Sequence, residues 1–537
     1  MRPLIIRSMG FALLAAAALG TGTARAGGDP AVLGALEQAL PPGTLPAWET
    51  AAELDHAREA AKQRRLAPWV SRVDRGPLPP PPTPGYRTPA EFEPVAAFIV
   101  TRGDWSTGWN PSIGMFYEMI VEGTADGGAG ALVLCEEDPD SFAEGLADEG
   151  IDLSRVHVLR PQNGLDAKWA RDFGPISIYE GGIDGHLAFV DNHYYDTRAN
   201  DDRVPAWLAT QIGLPRYGLR GTDQTPADDV RLYMEGGNYQ TDGQGTCILS
   251  NDIPSDNAGK SNPDADTFNE VEQIFAAYLG CEQIIWLTPP PNTGTGHVDM
   301  YTKLLGPTDM LVIDFPGQTG NDGQADAIVE DNVAIVEAST NLDDEPFTIH
   351  RVMIPSLGNG WTYRTYTNSV FVNHVMMVPT YGYADQDADA LTVYQEILGD
   401  EYSVVGIDSA AIVAQGGAVH CTTMQVASAC GNGVIDELLF EDCDGDDLGG
   451  ATCESLGYEP GTLGCDGSCR YDTEPCGGGD ADSDSDSDGD SDSDSDGDAD
   501  GDTDGDDQDF SPGQSGCGCH AAGTDRSGLG GLLSSLW

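Results

Sequence analysis

A cysteine with a histidine beside it stands behind a glycine pair late in the chain. The stretch is GGAVHCTTMQ at 416–425, in which Cys421 follows His420. On its own, Cys421 could be a disulfide partner, a buried apolar residue or a nucleophile, and the apolar role is the commonest for an isolated cysteine. A nucleophilic thiol needs a neighbouring base or a positive environment, because little of it is ionised at neutral pH otherwise. The role of Cys421 therefore depends on which side chains can reach it.

Four other polar, glycine-flanked segments supply side chains that could serve this thiol. They are WARDFGP (169–175) with Asp172, YMEGGNYQTDGQGT (233–246) with Glu235, GTGHVDM (294–300) with His297 and Asp299, and TYTNSVFVN (365–373) with Asn368. On a strand, His297 and Asp299 would share one face and point into one cavity. Each segment alone has an ordinary interpretation, as a surface ion pair, a turn or an exposed strand face. Their combination is what indicates a site.

One cysteine, one histidine and several carboxylates in one pocket suit a planar, cationic substrate. A guanidinium group has five N–H donors in a rigid fork, which carboxylates accept in pairs. The cysteine could attack the central carbon, and the histidine could protonate the departing ammonia and then activate a water molecule. This combination predicts hydrolytic deimination, with no metal and no cofactor.

Apolar runs that alternate with glycine-rich turns must position these segments. The predicted buried strands include VAAFIV (95–100), ALVLC (131–135), VHVL (156–159), TCILS (246–250), QIIWL (283–287), MLVIDF (310–315) and SVFVNHVMMVP (369–379). ADTFNEVEQIFAAYLG (265–280) predicts an amphipathic helix whose apolar face contains Phe268, Val271, Ile274, Phe275 and Tyr278. The alternation favours an α/β body. The sequence has no glycine-rich phosphate loop and no dinucleotide fingerprint.

Composition narrows the class of protein and its partners. The chain has 537 residues, too many for one ordinary domain, and its 40% hydrophobic residues suffice for a sizeable core. The formal net charge of −62 argues against nucleic acid or an anionic membrane as a partner, since both are negatively charged. Cationic substrates or metal ions fit such a chain better.

The N-terminal part of the chain has the pattern of an exported protein. Residues 1–26 combine arginines, a short apolar run and a small-residue cleavage site, which predicts a secretory signal peptide rather than a membrane anchor. Residues 27–90 are predicted to be an N-terminal extension, with a helix over TAAELDHAREAAKQRR (50–65) and a Pro-rich linker, PLPPPPTPGY (77–86). Residues 91–428 are the predicted catalytic body. The expected location is secreted or cell-envelope associated.

The composition changes after residue 428. Six cysteines crowd residues 429–477, which predicts a disulfide-rich module of undetermined connectivity; a zinc site is the weaker alternative because the cluster has no histidine. Residues 478–514 are an Asp/Ser/Gly-rich tract, expected to be a disordered, self-repelling linker when free of metal. Its carboxylates could also coordinate calcium. Residues 515–537 contain SGCGC and a weak apolar stretch too short to span a membrane, as in a candidate C-terminal sorting signal.

The order of the polar motifs resembles that of a known family. WARDFGP, MEGGN, GHVD, YTNS and GGAVHC are similar, in that order, to motifs of the agmatine deiminase and Porphyromonas-type peptidylarginine deiminase family. The resemblance covers about residues 90 to 428. It implies the pentein fold, a five-bladed, pseudo-symmetric α/β propeller of ββαβ units with the active site in a central channel. The module after the body is similar to cysteine-rich repeats of exported myxobacterial proteins.

The resemblance also implies roles for individual residues. Cys421 would be the nucleophile that forms an S-alkylthiouronium intermediate, His297 the general acid and base, and Asp172 and Asp299 the carboxylates that clamp the guanidinium. Cys421 is accordingly expected to stay out of disulfides. The side chains implied in substrate binding are Glu235, Asn368, Arg198 and Trp169.

Two substrates are compatible with these motifs. NYQTDG (238–243), HVDMYTK (297–303) and YTNS (366–369) are more similar to the peptidylarginine branch, which favours arginine in peptides or proteins converted to citrulline. In the loop YYDTRANDD (194–202) only Arg198 matches an arginine pair that binds a C-terminal carboxylate, so preference for C-terminal arginine is not predicted. The alternatives are agmatine, giving N-carbamoylputrescine, amidino transfer to an amine, and a calcium-dependent surface protein with an inactive deiminase body.

Overall fold

The computed structural model describes residues 30–40, 44–50, 52–53, 85–102, 112–181, 185–220 and 230–477. They fall within one unit of the chain, Met1–Gly478. Several predictions lie outside the described residues: the signal peptide, most of the helix at 50–65 and of the Pro-rich linker, the Asp-rich tract and the sorting signal. No helix in the described ranges is long and apolar enough to cross a membrane.

Short strands and short helices alternate along these residues. The strands are β1 (Val95–Thr101), β2 (Gly130–Leu134), β3 (Val156–Leu159), β4 (Ile176–Glu180), β5 (His186–Asn192), β6 (Arg216–Leu219), β7 (Tyr239–Thr241), β8 (Thr246–Ser250), β9 (Gln283–Leu287), β10 (Thr302–Leu304), β11 (Asp309–Asp314), β12 (Thr348–Met353), β13 (Val370–Val372), β14 (Val375–Thr380), β15 (Ser403–Asp408), β16 (Thr423–Ala427), β17 (Gly464–Cys465) and β18 (Tyr471–Asp472). The α-helices are α1 (Pro30–Ala39), α2 (Ser112–Val121), α3 (Pro139–Asp148), α4 (Ala170–Phe173), α5 (Val204–Ile212), α6 (Ile253–Gly259), α7 (Phe268–Tyr278), α8 (Gly320–Glu337) and α9 (Ala384–Leu398).

Five sheets in the described part of the chain follow one plan. In β4-β5-β6, β7-β8-β9, β10-β11-β12 and β13-β14-β15, the first two strands pair antiparallel and the third pairs parallel with the second. The fifth sheet, β16-β1-β2-β3, begins with a strand from the far end of the body. Each parallel pair is joined across at least one helix, because a parallel connection needs a long crossover. The body is thus a mixed α/β structure built from ββαβ units.

Strand β1 lies between two hydrophobic clusters. Phe98 and Val100 belong to one cluster, while Ala97 and Ile99 belong to the other. Successive side chains of a strand point to opposite faces, so a strand buried on both faces must be apolar throughout. This explains why VAAFIV has no polar alternation.

All six predicted residues of the polar motifs lie at one equivalent place in the five sheets. Each stands in the segment that leads into the first strand of a sheet: Asp172 before β4, Glu235 before β7, His297 and Asp299 before β10, Asn368 before β13, and Cys421 before β16. The repeated unit therefore presents one polar segment per sheet. The order of motifs along the chain follows from this repetition.

Two predicted elements differ from the structure. The helix α7 begins at Phe268, after Thr267 accepts a hydrogen bond from Glu270 N–H as an N-cap, and four of the five predicted apolar residues are buried. Phe268 is 48% exposed, so its assignment to the buried face was wrong; its ring packs edge-on against Trp286 instead.

The run at 369–379 is two strands rather than one. It turns at Asn373, whose φ of 53° is a left-handed conformation that asparagine tolerates better than most residues. The Asn373 side chain accepts from Val95 N–H at 2.8 Å and donates to the Gly127 carbonyl at 2.9 Å, which fixes the hairpin against its neighbours.

Four disulfides cross-link the described residues. The C-terminal module contains Cys430–Cys469, Cys443–Cys465 and Cys453–Cys476, which confirms the disulfide prediction and supplies its connectivity. The module packs on the body through Phe440, whose ring stacks on His157 at 4.3 Å. In the body, Cys247 and Cys281 form a disulfide that was not predicted, and Cys135 remains a buried thiol.

Removing the body disulfide is expected to lower the free energy of unfolding by about 3 to 4 kcal/mol, because it closes a loop of 34 residues. The double variant Cys247→Ala/Cys281→Ala should show this loss in urea unfolding. Cys135→Ala, which removes a buried sulfur without breaking a cross-link, is the matched control. Equal stability of the double variant and the wild-type chain would contradict the expectation.

Candidate functional site

Cys421 is held by the side chain of Asn368. The amide oxygen of Asn368 accepts from the N–H groups of Ala418, at 2.9 Å, and Cys421, at 3.4 Å. Its amide nitrogen donates to Cys421 Sγ at 3.2 Å. Cys421 is a free thiol, and the neighbouring Cys430 pairs elsewhere. The prediction that Cys421 stays out of disulfides is confirmed.

The electrostatic surroundings of this thiol favour its protonated form. Burial, together with the negative charges of Asp299 and Asp172, raises the pKa of Cys421 well above its usual value. The hydrogen bond from Asn368 acts in the opposite direction and is outweighed. A cation placed between the carboxylates and the sulfur would reverse this balance, because it would cancel the charges that oppose ionisation.

Asp299 connects the thiol to the rest of the pocket. Its Oδ2 accepts from Asn368 Nδ2 at 3.1 Å and lies 2.6 Å from His420 Nδ1 and 3.7 Å from Cys421 Sγ. Burial would raise the pKa of Asp299, but the interaction with His420 outweighs it and holds the pKa below the ordinary value. Asp299 Oδ1 is buried with no hydrogen-bond partner among the described residues.

His297 stands between two carboxylates. Its Nδ1 lies 3.6 Å from Asp172 Oδ1, and its Nε2 lies 3.7 Å from Glu235 Oε2. Burial would lower the pKa of His297, yet the neighbouring carboxylates Asp172, Glu235 and Asp299 raise it to about 9. The imidazole is therefore protonated at neutral pH and can act as a proton donor. Burial also raises the pKa of Asp172 to about 7, while His297 holds that of Glu235 at about 2 against its own burial.

The prediction that His297 and Asp299 lie on a strand was wrong. His297 has an extended backbone, and Val298–Met300 form a 3-10 turn before β10. The turn changes the direction of the chain between the two side chains. They still reach one pocket, in which Asp299 faces Cys421 and His297 faces Asp172.

Gly237 leaves open the space between His297, Asp299 and Asp172. A Cβ at this position would lie 2.6 Å from His297 Nδ1, 2.9 Å from Asp299 Oδ2 and 3.3 Å from Asp172 Oδ1. Both oxygens of Asp172 are buried without a hydrogen-bond partner in the described part of the chain. Buried carboxylate oxygens normally have donors, so unpaired ones beside open space are a place for a donor-rich cation.

Gly237→Ala is expected to raise KM for a guanidine substrate by about 10-fold or more, because the methyl group enters this space at less than contact distance. Steady-state kinetics would measure it. Gly145→Ala is the matched control, since a Cβ there in α3 meets no atom within 4 Å. Equal kinetics for both variants would show that the convergence point is not where substrate binds.

A second layer of charged residues behind Asp299 was not predicted from the sequence. His420 bridges Asp299 and Glu91, with its Nε2 2.8 Å from Glu91 Oε2. Glu91 in turn forms an ion pair with the buried Lys303, whose Nζ also donates to the Ser369 carbonyl at 2.7 Å. The only sequence signal was the position of His420 next to Cys421. This layer orients the Asp299 carboxylate toward the thiol.

The two remaining predicted residues border the pocket. Trp169 is buried. A Cβ on Gly417 would lie 2.8 Å from the Trp169 ring and 2.7 Å from Cys421 Sγ, so the indole and the thiol both lie next to this glycine. Arg198 is fully buried, and its guanidinium is bound by Glu53. Asp196, in the same loop, accepts from His193 at 3.0 Å.

The body of the chain is similar to known proteins. A sequence profile of the Porphyromonas-type peptidyl-arginine deiminase family matches residues 87–427. Two curated proteins, each named "Putative agmatine deiminase", are similar to the chain: that of Selenomonas ruminantium is 25% identical over 64% of this chain and 97% of its own, and that of Shewanella baltica is 27% identical over 67% and 99%.

The fold is shared with solved structures. The structure of the agmatine deiminase of Enterococcus faecalis superposes with a TM-score of 0.52 at 20% identity, covering 64% of this chain and 97% of that one. This likeness shows the mixed α/β fold of the pentein-type deiminases. With its body matched from end to end, the chain belongs to the Porphyromonas-type peptidyl-arginine deiminase family, whose members hydrolyse guanidino C–N bonds.

Proposed function

We propose that the chain converts peptidyl-arginine to citrulline and ammonia through a covalent intermediate on Cys421. The observation that carries this proposal is the convergence of a free thiol, a protonated imidazole and unpaired carboxylate oxygens in one buried pocket. In this proposal Asp172 and Asp299 bind the guanidinium and Glu235 adds negative charge to the same pocket. The substrate cation itself favours ionisation of the thiol, whose pKa is otherwise raised.

The proposed reaction proceeds in two halves. As the substrate cation binds, the Cys421 thiol loses its proton to water; the thiolate attacks the guanidinium carbon, and the C–S bond forms as the electron pair of the C=N bond moves to nitrogen. His297 donates its proton to the departing nitrogen, the C–N bond breaks, and ammonia leaves an S-alkylthiouronium group behind. The neutral imidazole then takes a proton from a water molecule that attacks the same carbon. The C–S bond breaks, its electron pair returns to sulfur, and the ureido group remains while the last hydroxyl proton passes to ammonia.

Positive side chains beside the pocket favour a peptide over agmatine. The charge of Arg198 acts on Asp172, and that of Lys260 acts on Glu235. A peptide backbone or a carboxylate next to the reacting arginine would be attracted there, whereas the ammonium tail of agmatine would be repelled. Agmatine is the second candidate, and the names of the curated relatives support it.

Two further features belong to the same proposal. We infer that the five ββαβ sheets surround a common central axis, which would bring their five equivalent polar segments to one channel. We also infer that the protein is exported, because four disulfides persist best in an oxidising compartment. The proposed chemistry uses side chains alone.

Ammonia release by the purified chain, with and without calcium, would test the proposal. The panel is a peptide with internal arginine, a peptide with C-terminal arginine, free arginine and agmatine. Release from the peptides is the expected result. Release from agmatine alone would replace the proposal by the second candidate. Release from none of the four substrates, by the wild-type chain and by Trp48→Ala alike, would contradict it.

A further inference from the structure

A segment N-terminal to the body lies across the site. Its described residues, 44–50 and 52–53, are called the entrance segment below. The Leu45 carbonyl accepts from Trp169 Nε1 at 3.0 Å, and Ala47 N–H donates to the Gln415 carbonyl at 2.9 Å. The Ala47 carbonyl accepts from the Tyr195 hydroxyl at 3.3 Å. The backbone of this segment is thus hydrogen-bonded to the walls of the site on more than one side, as a bound peptide would be.

One side chain of the entrance segment anchors it. Trp48 is only 3% exposed. A Cβ would lie 2.9 Å from its ring at Gly294 and 2.5 Å at Gly416. These glycines belong to the segments that carry His297 and Cys421, so both segments leave room for the indole where they border the site. Removing a buried tryptophan ring of this kind is among the costliest truncations at an interface.

The charges of the entrance segment match those of the cleft. Glu53 binds Arg198 through both oxygens, at 2.8 and 3.1 Å, and Arg198 is fully buried. Glu49 binds Lys260 at 2.8 Å. The same two cations are those whose charge reaches the catalytic carboxylates. The acidic side chains of the segment therefore occupy the positive positions that stand beside the guanidinium pocket.

The consequence is a closed site. Cys421 and Asp299 are 0% exposed, and His297 is 1% exposed. Trp48 packs against glycines of the segments that carry His297 and Cys421, so a peptide that approaches from this side must replace the entrance segment.

We propose that the entrance segment is an intramolecular occupant of a peptide-binding cleft, and that the partner this cleft fits is a peptide with two carboxylates placed as those of Glu49 and Glu53 are, the second in the first turn of a helix. This proposal rests on the proposed function, because it identifies the substrate class and the regulation of the same site. Displacement of the segment by such a peptide, or its release by proteolysis, opens the way to Cys421.

Access to the thiol provides a test that does not depend on turnover. In the full-length chain, Trp48→Ala is expected to increase the rate at which iodoacetamide alkylates Cys421 by about 10-fold or more. The reason is that the open state becomes more populated. Peptide mass mapping would follow the alkylation. Glu53→Gln should act in the same direction. Glu93→Gln is the matched control, because Glu93 forms a similar two-oxygen pair with Arg87 away from the site. The rate of alkylation of Cys135 reports any general unfolding.

Competition separates the two proposals. A synthetic peptide with the sequence TLPAWETAAE (44–53) should inhibit Trp48→Ala competitively against an arginine peptide, and its version with both glutamates replaced by glutamine should bind at least about 10-fold more weakly. Equal alkylation and activity in the wild-type, Trp48→Ala and Glu53→Gln chains would overturn the occupant proposal. Faster alkylation of Cys421 in the variants, without turnover of any guanidine, would support the occupant proposal and overturn the proposed function.

Discussion

Replacing Cys421 with serine is expected to lower kcat/KM for every guanidine substrate by about 10⁴-fold or more. Serine preserves the size of the side chain and its hydrogen bond from Asn368, but a hydroxyl does not ionise in a pocket that already opposes the thiolate. Steady-state ammonia release would measure the loss. Thermal unfolding should be close to that of the wild-type chain, since the substitution adds no volume.

The control for this variant is the other free cysteine. Cys135 is also buried, and burial raises its pKa to about 11, but it lies next to Glu137 rather than in the pocket. Cys135→Ser should retain the activity of the wild-type chain. Comparable losses in both variants would mean that thiol chemistry at Cys421 is not what the enzyme uses.

Asp172→Asn is expected to weaken guanidine binding by about 10²- to 10³-fold, the second largest effect. Removing one partner of a buried charge pair leaves the other charge uncompensated, which costs about 3 to 4 kcal/mol of binding free energy. Binding is best measured by calorimetry on the Cys421→Ser background, in which no turnover interferes. The amide retains the shape of Asp172, so the loss reports its charge.

The pH dependence of binding gives Asp172 a second signature. Because burial raises its pKa to about 7 in the free protein, the carboxylate is neutral below that pH and ionised above it. The dissociation constant for a guanidine ligand should rise by up to about 10-fold per pH unit as the pH falls below 7. In Asp172→Asn this dependence should be reduced. An undiminished dependence in the variant would assign the titration to another group.

The candidate site could be predicted to the extent that it follows the repeated unit. Asp172, Glu235, His297, Asn368 and Cys421 each precede the first strand of a sheet, and glycine-flanked polar segments at those points are visible in the sequence. The second layer was not visible, because its contacts join distant positions. Glu91 and His420, for example, are 329 residues apart, and no local pattern indicates that they meet.

The fold, like the site, could be predicted from the sequence only in part. Continuous apolar runs predicted β1 and β8, since strands buried on both faces have a strong signal. Two local conformations were not predicted. The left-handed Asn373 divides a predicted strand, and a 3-10 turn replaces the strand expected at His297. The pairing of Glu53 with Arg198 was also missed, because a surface-like acidic segment gives no sign that it will be buried.

Trapping the intermediate tests the central claim most directly. Trp48→Ala protein, mixed with an arginine peptide and quenched in acid during turnover, would be digested and mapped by mass spectrometry. An adduct on Cys421 with the mass of the substrate less one ammonia is expected, because acid keeps the His297 imidazole protonated and so removes the base that activates water. Ammonia release with no adduct on Cys421 in any quenched sample, or an adduct confined to Cys135, would contradict it.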